Sequence, residues 1–83
     1  MIPYKHTKIK DWYKVTYPAD LYGCFELKSD ITFEGAYIAL IEGRDIYDYL
    51  GVDDSIVRER VFIALSEIMQ CEYDTIYYMW LNS

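Results

Sequence analysis

A chain of 83 residues, 53% of them hydrophobic, can form one domain around a small core, because a domain of this size buries only about two-thirds of the surface its unfolded chain exposes. The net charge of −6 is uneven: residues 1–14 hold four lysines against Asp11, a balance of +3, and residues 15–83 hold four basic against thirteen acidic side chains, a balance of −9. Such an acidic body argues against nonspecific nucleic-acid binding, where cationic contacts to phosphate supply the affinity, and suits a basic protein partner or plain solubility.

Residues 1–6 show no periodicity and read as a flexible basic arm on a single domain spanning 1–83. Thr7 can cap a first helix with Ile9, Trp12, Tyr13, Thr16 and Tyr17 on one face. Tyr13, Val15 and Tyr17 also alternate as in a strand, but Ile9 and Trp12 fit only the helical period. Pro18 ends that helix, and Pro18 to Gly23 reads as a tight turn or one helical turn, with Gly23 as a left-handed end. Cys24 to Lys28 is ambiguous, and Lys28-Ser29-Asp30 is a polar turn. Asp30 or Thr32 can cap a helix that turns Phe33, Ala36, Tyr37, Leu40 and Ile41 to one side and stops at Gly43. Gly35 weakens it by about 1 kcal/mol relative to alanine. Asp45 then caps a short helix, Ile46–Leu50, that Gly51 ends.

The strongest helical signal covers residues 54–70. Aspartates and Ser55 offer cap oxygens at its start, and Val57, Val61, Ala64, Leu65 and Ile68 fall on one face. Ile56, Phe62, Ile63 and Met69 widen the apolar arc, while Glu59, Ser66 and Gln70 lie opposite. So narrow a polar stripe marks a helix packed on two sides, which makes this the central helix. Tyr73, Ile76, Tyr77, Trp80 and Leu81 repeat at helical spacing in a last amphipathic segment. The expected fold is all-α, a bundle of four to five helices around 54–70. The competing fold is α+β, with a small sheet from 31–41 and 73–81.

Cys24 and Cys71 are isolated, and with His6 they lack the paired spacing that fixes zinc ligands on one turn, so no metal or cofactor is expected. They read as small apolar side chains with reduced thiols, although the sequence alone leaves a disulfide open. With no secretory leader pattern and no apolar run of membrane length, the expected location is the cytoplasm. The carboxylate pairs Asp45/Asp48, Asp53/Asp54 and Glu72/Asp74 have nothing to place them in a cleft. Ser55 has no histidine base nearby, and no phosphate-binding or dinucleotide fingerprint occurs. No enzyme activity is expected. A helix-turn-helix over 45–70 would present Asp53 and Asp54 to the bases, where phosphates repel them. Asp54 and Arg58, one turn apart, read as a surface ion pair worth about 0.3–0.5 kcal/mol, and Arg60 reads as reaching a carboxylate on a neighbouring helix.

Asp45, Tyr47, Asp48, Tyr49 and Asp53 form the candidate protein-binding surface: carboxylates to steer a basic partner in, tyrosines to supply buried area. The bland reading is a solvated helix end with capping aspartates. Ten of the fifteen aromatic residues are tyrosines, so a homodimer formed through exposed aromatics is the alternative.

The segments Trp12-Tyr13, Tyr17-Pro18-x-Asp20, Thr32-Phe33, Asp45-x-Tyr47, Leu50-Gly51-Val52-x-Asp54-Ser55-x-Val57-Arg58-Glu59-Arg60-Val61-Phe62 and Tyr73-Asp74-x-Ile76-Tyr77-x-x-Trp80-Leu81, with Gly23, resemble small helical domains of phages and conjugative elements of low-GC bacteria. The likeness runs from about Ile9 to Leu81 and is one of caps and core spacing. It implies a helical fold. It also implies an acidic inhibitor of a host nuclease or CRISPR effector, of anti-CRISPR or anti-restriction type, acting in the bacterial cytoplasm without touching nucleic acid directly. That is a functional association rather than a mechanism.

Overall fold

A computed structural model describes residues 3–82, which form six helices: α1 (Ile9–Thr16), α2 (Leu21–Glu26), α3 (Phe33–Ile41), α4 (Ile46–Leu50), α5 (Ser55–Ile68) and α6 (Tyr73–Leu81). The fold is all-α. Among the described residues β pairing is confined to one antiparallel bridge, Lys8 to Thr32, which aligns the starts of α1 and α3. Both segments that could have made a sheet are helical instead, over Phe33–Ile41 and Tyr73–Leu81. In α3 the apolar run is not a strand because the Thr32 hydroxyl caps the Gly35 N–H at 3.1 Å, and Phe33, Ala36, Ala39 and Leu40 then fall together on the buried side.

One core joins all six helices. Ile9, Trp12 and Tyr13 of α1 meet Cys24 of α2, Phe33 of α3, Ile46 and Leu50 of α4, Val57, Val61, Phe62 and Leu65 of α5, and Ile76 of α6. The central helix α5 starts on Asp54, whose carboxylate accepts from the N–H groups of Ile56 at 2.8 Å and Val57 at 3.4 Å. It packs against α3 and α6. The face expected to carry the core is buried at Val57, Val61, Ala64 and Leu65, but its apolar arc is narrower than the composition implies: Ile56 and Ile63 are exposed, and Ile68 is half-buried. Ser66, expected on the polar side, is buried with its hydroxyl donating to the Ile63 carbonyl at 2.7 Å.

The structure corrects the reading of Arg58 and agrees with that of Arg60. Arg58 makes no surface pair with Asp54. It is 8% exposed, and its guanidinium lies over the rings of Trp80 (4.3 Å), Phe62 (4.9 Å) and Tyr77 (5.7 Å), clamping α5 to α6 by cation–π contacts. Its Nε and Nη1 are buried without hydrogen-bond partners. Arg60 does reach a carboxylate on another element: Nη1 donates to Asp20 at 2.8 Å and to the Tyr13 hydroxyl at 2.7 Å. Tyr13 is fully buried, and its hydroxyl donates in turn to Asp20. Burial first, and the Asp20 hydrogen bond second, hold the Tyr13 phenol far above its ordinary range, so it stays neutral. This triangle locks α1, α2 and α5 together.

Two local readings change. Gly23 does not end a turn; it lies inside α2, where a Cβ would stand 2.8 Å from the Tyr13 ring, so its absence lets the α2 backbone lie against that ring. Thr7 does not cap α1, whose N-cap is Lys8. Its hydroxyl instead accepts from the Tyr4 N–H at 2.9 Å, and the Lys5 carbonyl accepts from the Glu34 N–H at 2.7 Å, which joins the basic arm to the start of α3. Met1 and Ile2 lie outside the described residues. The two cysteines are free thiols, Cys24 buried and Cys71 half-buried.

Candidate protein-binding surface

Short α4 and its two flanks build the surface. Asp45 caps α4 by accepting from the Tyr47 N–H at 3.0 Å and is exposed. Gly51, at φ 85°, turns the chain sharply, Val52 buries itself, and Asp53 is left exposed just before the Asp54 cap of α5. The result is an open hollow of about 400 Å³ lined by Asp45, Tyr47, Asp48, Gly51, Val52, Asp53 and Lys28. Four of the five residues expected to bind a partner therefore share one concavity.

Tyr49 is the exception. It faces α3, where its hydroxyl stands between the Thr32 N–H (3.4 Å) and carbonyl (3.5 Å) and against Gly35. A Cβ at Gly35 would overlap that hydroxyl, so the glycine that weakens α3 is what admits Tyr49. Tyr49 ties α4 to α3 and is structural.

Sequence spacing missed Lys28, which is brought in because its N–H donates to the Leu50 carbonyl at 3.1 Å. Sixteen residues lie between Lys28 and Asp45, and nothing local couples them. Three carboxylates against one ammonium leave the hollow net negative, and Asp45, Asp48 and Asp53 enter no ion pair among the described residues. The Tyr47 wall is braced from behind: its ring meets Trp80 edge-on at 6.1 Å, and Trp80 meets the Arg58 guanidinium. Trp80 and Arg58 thus position Tyr47 without facing the hollow.

The carboxylates are spread around the hollow and do not converge on a point. Among the described residues no group of three or more His, Cys, Asp or Glu could hold a metal ion. His6 stands 3.5 Å from Glu34, on the α3 side of the molecule. No described helix is long and apolar enough to cross a membrane. What the hollow can do chemically is accept cationic hydrogen-bond donors at three oxygens while a tyrosine ring covers their aliphatic stems. No protein-family model, curated protein or solved structure matches the chain.

Proposed function

We propose that this is a non-enzymatic acidic protein that binds, and so inhibits, a basic nucleic-acid-processing protein through the α4 hollow. The supporting observation is that Asp45, Asp48 and Asp53 line one concavity of about 400 Å³ together with Tyr47. A nucleic-acid groove presents lysines and arginines at phosphate spacing, and carboxylates on a rigid helix end compete for those side chains. Tyr47 adds the desolvated area that charge alone lacks. The resemblance to mobile-element domains extends the reading to a host defence nuclease or CRISPR effector as target, that is, to anti-CRISPR or anti-restriction inhibition in the bacterial cytoplasm.

The test is affinity capture from a bacterial host lysate followed by calorimetry on the captured protein. Asp48 is exposed and caps nothing, so Asp48→Lys should stay folded. It should weaken binding by roughly tenfold or more at low salt and by less at high salt, where screening is strong. Tyr47→Ala should weaken binding at every salt concentration. Unchanged affinity in both variants would exclude the hollow as the binding surface, and a partner that is captured but keeps its activity when saturated would exclude inhibition.

A further inference from the structure

Hydrogen bonds tie the first five helices to one another. The Ile9 N–H donates to the Ile31 carbonyl at 3.0 Å and the Phe33 N–H to the Thr7 carbonyl at 3.3 Å, which joins the starts of α1 and α3. Arg60 joins α5 to Tyr13 of α1 and to Asp20 at the start of α2. Lys28 joins the segment after α2 to α4, and Tyr49 joins α4 to α3. Helix α6 is held differently. Trp80 aside, no described residue of α6 makes a side-chain hydrogen bond or ion pair, and the backbone bonds at its two ends stay local, from the Thr75 N–H to Glu72 and from the Asn82 N–H to Tyr78. Its attachment is apolar: Ile76 is fully buried, and the Phe62 ring meets those of Tyr73 at 6.4 Å and Trp80 at 5.9 Å.

Three features work against that attachment. The guanidinium beneath α6, on Arg58, is 8% exposed, and its Nε and Nη1 are buried without a partner. The rings of Phe62, Tyr77 and Trp80 attract its charge, but they do not replace the hydrogen bonds that water would give those two nitrogens. The connection from α5 turns on Gln70 at φ 55°, a left-handed conformation that a side chain disfavours. Glu72, the N-cap of α6, makes no side-chain cap bond. A helix of nine residues draws little stability from its own propensity, so α6 is helical only while docked.

We propose that α6 is a strap that detaches and unfolds as one unit while α1 to α5 stay folded, and that the unpaired Arg58 guanidinium sets how readily it does so. Detachment returns water to Nε and Nη1 and frees Gln70 to leave the left-handed region. What opposes it is the burial of Ile76 and the ring contacts with Phe62. Trp80 leaves with the strap, so Tyr47 loses the ring that meets it edge-on at 6.1 Å, and one wall of the α4 hollow is released. The proposal concerns the fold and stands whatever the hollow binds.

Native-state hydrogen exchange, read amide by amide by NMR over a series of low urea concentrations, tests this. In the wild type, the amides from Tyr77 to Leu81 should share one protection factor, at least about tenfold below that of Val61, Phe62 and Leu65 in α5. Arg58→Met should raise protection about fivefold in α6 and by the same factor in α5, because detachment and global unfolding both return the guanidinium to water. Ile76→Val, which deletes one buried methylene, should lower protection in α6 by roughly threefold or more. Both substitutions keep an apolar side chain at a buried position, and circular dichroism checks that both variants are folded. Protection in α6 equal to that in α5 would overturn the proposal. So would protection that declines steadily toward Leu81 and ignores Ile76→Val, which is simple fraying of a helix end. A rise in α5 under Arg58→Met with none in α6 would show that Arg58 does not govern the strap and would overturn it as well.

Discussion

Replacing Asp20 by asparagine tests the charge in the Tyr13–Asp20–Arg60 triangle. Asparagine keeps one side-chain oxygen for the Gly23 N–H, which Asp20 Oδ1 caps at 3.1 Å, and sets an amide nitrogen where Oδ2 accepts from Tyr13 and Arg60. What is lost is the negative charge facing Arg60 together with that acceptor oxygen, so the difference from wild type is that of charge-assisted bonds, worth about 1.5–3 kcal/mol. The Asp20 and Arg60 side chains are 26 and 30% exposed, and this partial solvation trims the difference to about 1–2 kcal/mol. In a domain of this size that corresponds to a fall in Tm of about 5–10 °C. The effect should depend on pH with a definite sign. The Tyr13 hydroxyl first, then the Gly23 amide and the Arg60 charge, hold the Asp20 carboxyl below its ordinary value of 3.8. A carboxyl whose folded value lies below its unfolded one contributes fully above the unfolded value and loses that contribution as pH falls through the folded one. The gap between wild type and Asp20→Asn should therefore be constant from neutrality down to pH 3.8 and close below it. Urea unfolding followed by tryptophan fluorescence measures the gap. A gap under about 0.5 kcal/mol at neutral pH, or one that survives at the lowest pH, would show that the triangle is not held by charge.

Other positions give equally direct tests. Gly35→Ala should destabilise by about 1–3 kcal/mol through its overlap with the Tyr49 hydroxyl; in a Tyr49→Leu background the same change should stabilise by about 0.5–1 kcal/mol, which chemical denaturation of the four variants would reveal. Helices α3 and α5 end in the same pair of bonds, Gly43 and Arg44 N–H to Leu40 and Ala39, and Gln70 and Cys71 N–H to Glu67 and Ser66, but Gln70 sits at φ 55° where α3 uses glycine. Gln70→Gly should raise stability by about 0.5–1 kcal/mol in a thermal melt. Arg58→Met removes a buried charge with no carboxylate partner while keeping contact with Trp80 and Phe62; calorimetric Tm should rise by roughly 4–8 °C, about 1 kcal/mol, since cation–π contacts return less than burial of the charge costs.

Elements that carry their own stops were legible in the sequence. Helix α4 begins on Asp45 and ends on Gly51 as its residues dictate, and α6 has the bounds its tyrosine and tryptophan spacing predicts. The end of α5 was less legible because no glycine marks it: Ile68 is the last helical residue, and Gln70 takes the left-handed role. Helix α2 was hidden because its outer face is as apolar as its inner one, so it has no amphipathic period, and its glycine serves the Tyr13 contact instead of a turn. Within the candidate surface, the residues of the 45–53 segment were readable because they are local. Tyr47 and Tyr49 were indistinguishable, since a two-residue offset on a helix of one and a half turns reverses facing only once α3 is in place.

Folding also changes what the charge count means for binding. Of the four cations after residue 14, Arg44 is held 3.0 Å from Glu42, Arg60 is spent on Asp20 and Tyr13, and Arg58 is covered by aromatic rings. Only Lys28, among the described residues of that stretch, keeps an ammonium outside such contacts, and it lies in the acidic hollow. Lys28 therefore acts as the local brake on the field that would steer a basic partner in. Lys28→Glu should leave stability within about 0.5 kcal/mol, because its side chain is exposed and unpaired. Against a captured basic partner it should raise the association rate several-fold at low salt, with the gain vanishing as salt rises, while dissociation changes little. Stopped-flow association over a salt series separates these rates. A slower association, or a gain that persists at high salt, would mean that the partner approaches another face of the molecule.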